Sequence, residues 1–106
     1  MIDELAKILG VERQNLPAVF LSGRTQVLKR GIRFDIMQRF PLADPDAILD
    51  WLERYTNAKF YLVRFLQNAK NRHDLDGFDA GIIVASDRHN AKKRIGDIHS
   101  RESSQP

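Results

Sequence analysis

The stretch Arg72-His-Asp-Leu-Asp-Gly-Phe-Asp-Ala-Gly-Ile-Ile-Val-Ala85 carries the clearest strand signal in the chain. The pair Asp76-Gly77 is typical of a tight turn between antiparallel strands. Arg72–Leu75 precedes this turn and Gly81–Ala85 follows it, so we predict two short antiparallel strands. Most of the remaining chain has helical periodicity. The fold class expected is therefore α+β: a compact, mostly helical domain with a small antiparallel β-hairpin.

Three helices are predicted in the first part of the chain. The first lies within residues 1–10, where apolar residues recur at helical spacing and Gly10 marks the end. A second, short helix is expected around Leu16–Leu21. The third covers Gln26–Phe40, because its apolar residues lie four positions apart: Leu28, Ile32, Ile36 and Phe40.

Further helices are predicted on either side of the hairpin. Asp44 is a typical N-cap and Pro45 a typical first residue of a helix. Helical spacing continues from Ala58 to Leu66, although Phe60–Val63 also suits a strand. The last helix is expected at Asp87–Ile98.

Length and composition exclude several classes of protein. The chain has 106 residues, 42% of them hydrophobic and 29% charged, which suits one small globular domain. It has no cysteine, so disulfides, thiol catalysis and cysteine zinc sites are excluded. No apolar run approaches the roughly 20 residues of a membrane span. We expect a cytoplasmic domain over residues 1–98, without membrane association, and a disordered polar tail at residues 99–106.

No residue pattern indicates a metal site or catalysis. Asp74–Gly77 resembles the start of a calcium loop but lacks the later ligands. Asp46 and Asp50 share a helix face, whereas Asp44 is better explained as a cap. The histidines lack the spacing of a zinc motif: His73, His89 and His99. We therefore expect no metal, no cofactor and no enzymatic activity.

The charge is distributed unevenly along the chain. Lys and Arg number 17 and Asp and Glu 14, which gives a net charge of only +3. Arg13–Phe34 and Lys59–His73 nevertheless contain cations and no acid, and Arg88–Arg94 is also basic. The acids concentrate in Asp44–Glu53 and Asp74–Asp79. Basic segments of this kind suit phosphate binding, although a solvated basic surface explains them equally well.

Tyr61 and Arg72 are the residues that most suggest nucleic-acid binding. An aromatic ring can stack on a base and an arginine can contact phosphate, and Lys59 and Lys70 lie nearby in sequence. The alternative is that Tyr61 belongs to the core, since apolar residues surround it in the sequence.

Five short motifs occur in a characteristic order: Leu16-Pro-Ala-Val-Phe20, Leu28-Lys-Arg-Gly-Ile32, Tyr55-Thr56, Tyr61-Leu62 and Arg72-His-Asp-Leu-Asp-Gly77. Over residues 16–95 the chain thereby resembles the FinO/ProQ family of RNA-chaperone domains. The resemblance implies binding of structured RNA, bacterial origin, and recognition of a stem-loop followed by a single-stranded 3′ end.

The resemblance also implies roles for particular residues. Tyr61 and Arg72 would line a pocket for the 3′-terminal nucleotides. Thr56, followed by Asn57, would begin a helix whose N-terminal amides face phosphate, as free N–H groups and the helix dipole favour. Further phosphate contacts are expected from three basic residues: Lys29, Arg30 and Lys59.

One departure concerns the helix that begins at Pro45. Better-known members carry basic residues there that contact the RNA stem, whereas this chain has Pro45 and Leu49 at those places. Acidic residues surround them: Asp46, Asp50 and Glu53.

The function predicted is post-transcriptional regulation by a monomeric RNA-binding protein that stabilises RNAs or promotes their pairing. A small helix-turn-helix DNA-binding regulator is one alternative; it requires an exposed recognition helix and leaves the hairpin without a role. A protein-interaction module is another, and a metal-dependent hydrolase is the weakest.

Overall fold

A computed structural model describes residues 1–103 and confirms the expected fold class. Six α-helices and one two-stranded antiparallel sheet make up these residues, with 3₁₀ turns at Arg13–Asn15 and Val63–Leu66. In chain order the elements are α1 (Ile2–Leu9), α2 (Ala18–Leu21), α3 (Ile32–Arg39), α4 (Pro45–Thr56), α5 (Lys59–Leu62), β1 (Asn71–His73), β2 (Asp79–Ile82) and α6 (Ala85–Ser103).

Helix α4 is the centre of the core. Asp44 caps its first turn by accepting a hydrogen bond from the Asp46 N–H at 3.0 Å, as predicted. Trp51 is fully buried, and its ring stacks on that of Tyr55 with centroids 4.7 Å apart. The Trp51 indole N–H donates to the Met1 carbonyl at 2.8 Å, which ties α1 to α4. These contacts fix the face of α4 that the rest of the molecule packs against.

The predicted helix over Gln26–Phe40 is wrong in its first part. The helix begins at Ile32, because Gly31 adopts a left-handed conformation with φ of +75° and interrupts the helical path. The residues before it run parallel to β1: the Lys29 N–H donates to the His73 carbonyl at 2.7 Å, and the His73 N–H donates to the Val27 carbonyl at 2.8 Å. The segment around Leu28 therefore extends the hairpin on its other side.

The hairpin forms where the sequence predicts it, but its strands are shifted. The pairs Asn71–Ile82 and His73–Asp79 leave two residues of β2 opposite the single residue Arg72, which is a β-bulge. Gly81 supplies this irregularity with φ of +125°, a conformation that other residues rarely adopt. The bulge lies in β2, directly opposite Arg72 on β1.

The segment after α4 is helical, and so is most of the predicted tail. Phe60–Val63 lies in α5 and the following 3₁₀ turn rather than in a strand. Helix α6 continues past Ile98 to Ser103, so the prediction of disorder is wrong for residues 99–103; no proline or glycine interrupts the helix there. The rest of the predicted tail, residues 104–106, lies outside the described residues.

Arg88 fixes α6 against the middle of the chain. Its guanidinium donates to the Phe65 carbonyl and, at 2.9 Å, to the Ala69 carbonyl. Ala91 is buried against the core at the next turn. This docking places one face of α6 opposite α5 and β1.

Candidate functional site

A cavity of about 230 Å³ lies where α4 ends, between α5, β1, α6 and the segment Leu28–Ile32. Four of the residues predicted to bind RNA line it together: Lys29, Thr56, Tyr61 and Arg72. Since these residues come from separate parts of the chain, their meeting at one cavity is a consequence of the fold.

The backbone of Leu28 is hydrogen-bonded to two side chains of this site. The Leu28 N–H donates to the Tyr61 hydroxyl at 3.0 Å, and the Leu28 carbonyl accepts from the Arg72 guanidinium at 2.9 Å. A buried peptide group needs such partners, because an unpaired one is costly. Tyr61 and Arg72 therefore hold the backbone in place as well as line the cavity.

Arg72 is held from several sides. Its guanidinium makes an ion pair with Asp87 at 3.1 Å and lies over the Phe65 ring, 5.7 Å from the centroid. The side chain is only 12% exposed. Its Nε is buried without a hydrogen-bond partner in the part of the chain that the structure describes. Arg72 is thus a rigid cation at the wall of the cavity.

Asp87 joins two of the cations at the site. Besides Arg72, it pairs with Arg30 at 2.8 Å and accepts a hydrogen bond from the Val84 N–H at 3.0 Å. Burial disfavours the charged form of Asp87, but these donors outweigh burial and lower the pKa of its carboxyl below the usual value. The cavity therefore contains a fixed negative charge among its cations.

The Tyr61 ring belongs to the core. It is 4% exposed and contacts the rings of Tyr55 and Phe65, with centroids 5.5 Å and 5.8 Å away. Burial raises the pKa of its hydroxyl, so this group stays protonated at neutral pH. The alternative interpretation of Tyr61 as a core residue is thus confirmed for the ring. A base cannot stack on a ring buried in this way, and the hydroxyl is the part of Tyr61 suited to a ligand.

Thr56 and Asn57 do not present the N-terminus of a helix, so this part of the prediction is wrong. They lie at the C-terminal end of α4, where the Thr56 hydroxyl donates to the Leu52 carbonyl and the Asn57 amide donates to the Glu53 carbonyl, both at 2.8 Å. The next helix, α5, begins at Lys59 and has only 4 residues. The two side chains satisfy the last free carbonyls of α4, a role that the sequence pattern did not distinguish from capping of the following helix.

The remaining predicted cations are placed differently from one another. Lys29 lines the cavity and pairs with Asp35 at 2.9 Å. Arg30 is exposed and reaches the site through Asp87. Lys59 is exposed at the start of α5 and is not among the residues that line this cavity.

Helix α6 contributes residues that the sequence analysis missed. Asp87, Asn90 and Arg94 line the cavity beside Ala91. Arg94 also donates to the Asn57 side chain, which links α6 to the end of α4. The signal was present, because these positions follow the spacing of one helical face.

Neither a metal site nor a membrane span occurs within residues 1–103. No group of at least three potential metal-ligating side chains is found in this range. None of its helices combines the length and the apolar character needed to cross a bilayer.

The fold and the cavity define a small α+β domain whose central site is lined by cations and one carboxylate. The model of the ProQ/FinO family matches residues 2–106, and the chain belongs to this family. Among solved structures, it is similar to a FinO-like RNA chaperone from Neisseria meningitidis, with 18% identity and a TM-score of 0.68 over 96% of this chain and 82% of that chain. No curated protein matches the chain in sequence.

Proposed function

We propose that this protein is an RNA-binding protein of the RNA-chaperone type, which holds the 3′ end of a structured RNA in the cavity between α5, β1 and α6. The observation that carries the proposal is the meeting of Lys29, Thr56, Tyr61 and Arg72 at one cavity. Membership of the ProQ/FinO family and the fold shared with a FinO-like RNA chaperone support it.

The size and chemistry of the cavity suit the end of an RNA strand. At about 230 Å³ it is smaller than the roughly 300–1,000 Å³ typical of sites that enclose whole drug-sized ligands. Lys29 and Arg94 offer positive charge for a phosphate, and the Tyr61 hydroxyl offers a hydrogen-bond donor. Asp87 offers an acceptor for a ribose hydroxyl.

Asp87 gives the cavity a preference for an RNA with a free 3′-hydroxyl. A terminal ribose brings hydroxyl donors to the carboxylate, whereas a 3′-phosphate brings a second negative charge into the same small space. Like charges brought together in this way cost several kcal/mol. The RNA recognised is a stem-loop with a single-stranded 3′ tail, and the tail enters the cavity.

Binding without chemistry is sufficient for the biological role. A 3′ end enclosed in the cavity is shielded from 3′ exonucleases, or the bound RNA is presented to a second RNA for pairing. The protein acts as a monomer in the cytoplasm, where its RNA ligands are found.

Affinities for three ligands across a salt series test the proposal. These are a hairpin RNA with a 3′-hydroxyl tail, the same RNA with a 3′-phosphate, and duplex DNA. We expect the 3′-phosphate RNA to bind at least about tenfold more weakly, since like-charge contact costs more than about 1.4 kcal/mol. Equal binding of the two RNAs, or preference for duplex DNA, contradicts the proposal.

Two variants with one carboxylate removed provide the matched control. Asp87→Asn takes the negative charge out of the cavity, so the discrimination against the 3′-phosphate should fall. Glu12→Gln removes an exposed carboxylate that does not line the cavity, and its discrimination should stay that of the parent.

A further inference from the structure

The first turn of α3 carries an exposed aromatic residue, Phe34, between Arg33 and Asp35. Phe34 is 61% exposed, and the Arg33 guanidinium lies over its ring at 4.8 Å from the centroid. Cδ2 of Phe34 lies 3.6 Å from a Cβ built on Gly31, so the ring folds back toward the start of the helix. Lys29 and Arg30 precede it in the same basic segment.

A second cavity connects this aromatic residue to the proposed binding site. About 530 Å³ in volume, it lies between the start of α3 and α4, with Leu49 and Leu52 on the α4 side and Arg33 on the α3 side. It shares Ile32 and Thr56 with the cavity that contains Arg72. The two cavities therefore adjoin each other, and Arg33, which lies over the Phe34 ring, is the residue that links Phe34 to the second.

We propose that Phe34 and Arg33 form a stacking platform for an unpaired base of the bound RNA, upstream of the nucleotides held beside Arg72. The proposal rests on the function proposed above and assigns a second nucleotide subsite. It also moves base stacking from Tyr61, whose ring is buried, to an aromatic ring that a base can reach.

Charge favours RNA over a protein partner as the occupant. Arg33 has no acidic partner within residues 1–103, so its charge is available for a phosphate as well as for the Phe34 ring. A stacked arginine, aromatic ring and base combine dispersion with cation–π attraction. An exposed aromatic residue with a cation against its ring is an arrangement that single-stranded nucleic acid binding uses.

The opposite wall explains why an unpaired base fits better here than a duplex stem. The α4 side presents Leu49, which is 38% exposed, and Glu53, instead of cations. Arg54 is engaged by Glu4 and, at 3.1 Å, by Asp50. A duplex brings two phosphate backbones toward this acidic helix, whereas a single strand brings only one.

A thermodynamic cycle between protein and RNA tests the proposal. The RNA is a hairpin with a 3′-hydroxyl tail, in which one unpaired nucleotide at a time is replaced by an abasic residue. Phe34→Ala should weaken binding of the intact RNA about tenfold, as loss of one base–aromatic stack does. At one position upstream of the 3′-terminal nucleotide, abasic substitution should weaken binding to the parent protein by the same factor. The same substitution should not weaken binding to Phe34→Ala any further.

Two matched variants complete the test. Phe34→Trp keeps a stacking ring and should retain the affinity of the parent. Phe78→Ala removes another exposed phenylalanine, 70% exposed, from the acidic turn of the hairpin, and it should leave RNA binding unchanged.

The results separate this subsite from the proposed function. The stacking platform is refuted if Phe34→Ala binds the intact RNA as tightly as the parent does. It is also refuted if every abasic substitution weakens binding to Phe34→Ala as much as it weakens binding to the parent. Discrimination between 3′-hydroxyl and 3′-phosphate RNA is measured on the same samples. If the parent protein discriminates between the two RNAs, the proposed function stands even where the platform fails. If it does not discriminate, the proposed function is overturned whatever the result at Phe34.

Discussion

At the scale of single residues, the site is organised around the backbone of Leu28. Its N–H is satisfied by Tyr61 and its carbonyl by Arg72, so the two side chains proposed to meet RNA also satisfy the backbone of a core residue. Tyr61 and Arg72 therefore have a structural role that a surface cation such as Arg33 does not have. Substitutions of Tyr61 and Arg72 change the fold and the ligand site together.

We predict that Tyr61→Phe lowers the free energy of unfolding by about 1–3 kcal/mol, because the Leu28 N–H is left buried without an acceptor. Urea denaturation followed by circular dichroism measures the change. Tyr61→Ala adds a cavity in the core and should cost more, about 3–5 kcal/mol by analogy with other aromatic truncations. A Tyr61→Phe protein as stable as the parent would show that this hydrogen bond adds no net stability.

The sequence predicts which residues belong to the candidate site, but it predicts less well what each of them does there. The motifs around Lys29, Tyr61 and Arg72 identify residues that meet at one cavity. The role of Tyr61 depends on how its ring packs in the core. Its ring contacts Tyr55 and Phe65, which belong to other elements. A single sequence does not specify such packing.

At the scale of elements, the irregular strand β2 supports the position of Arg72. Gly81 provides the extra residue opposite Arg72 and has a positive φ. A Cβ on Gly81 would lie 3.9 Å from Cδ of Arg72, so conformation and not space restricts this position. Local backbone geometry in the hairpin is therefore part of the site.

Two glycine substitutions with opposite effects test this interpretation. Gly81→Ala forces alanine into a conformation that costs roughly 1–3 kcal/mol, and the protein should unfold at a lower temperature. Gly96→Ala fills open space on α6 at a glycine with ordinary φ and should add about 1 kcal/mol of stability. Thermal unfolding of both variants measures the contrast, and an unchanged Tm for Gly81→Ala would remove the argument that the bulge needs glycine.

The elements themselves were predictable where local signals and tertiary structure agree. The cap at Asp44 and the turn at Asp76-Gly77 specify α4 and the hairpin. The prediction was wrong at Leu28, because the spacing from Leu28 to Ile32 fits a helix whereas the backbone of Leu28 pairs with His73. Pairing with a strand distant in sequence overrides local periodicity there, and Gly31 marks the boundary.

At the scale of the whole molecule, the arrangement of charge matters more than its sum. The net charge is +3, yet cations gather at the cavity and at the start of α3 while α4 exposes acids toward solvent. Glu53 lies on the α4 side of the second cavity, directly in the proposed path of the RNA. The acidic helix should therefore limit how closely a phosphate backbone approaches.

We predict that Glu53→Gln strengthens RNA binding by about twofold to fivefold at low salt, because one repulsion is removed from the RNA path. The gain should fade as salt screens the charges. Glu12→Gln makes the same change of charge at an exposed residue that lines neither cavity, so its affinity should stay that of the parent. If the affinity of Glu53→Gln equals that of the parent at low salt, the RNA does not pass along α4.

The contacts at Leu28 also have a consequence for protein synthesis. The bonds from Tyr61 and Arg72 join positions 33 and 44 residues apart, and Asp87 and Arg94 on α6 form one wall of the cavity. A nascent chain on the ribosome lacks the cavity until Arg94 has left the exit tunnel. The site is therefore among the last features of the domain to form, and a chain interrupted before α6 lacks one wall of the cavity.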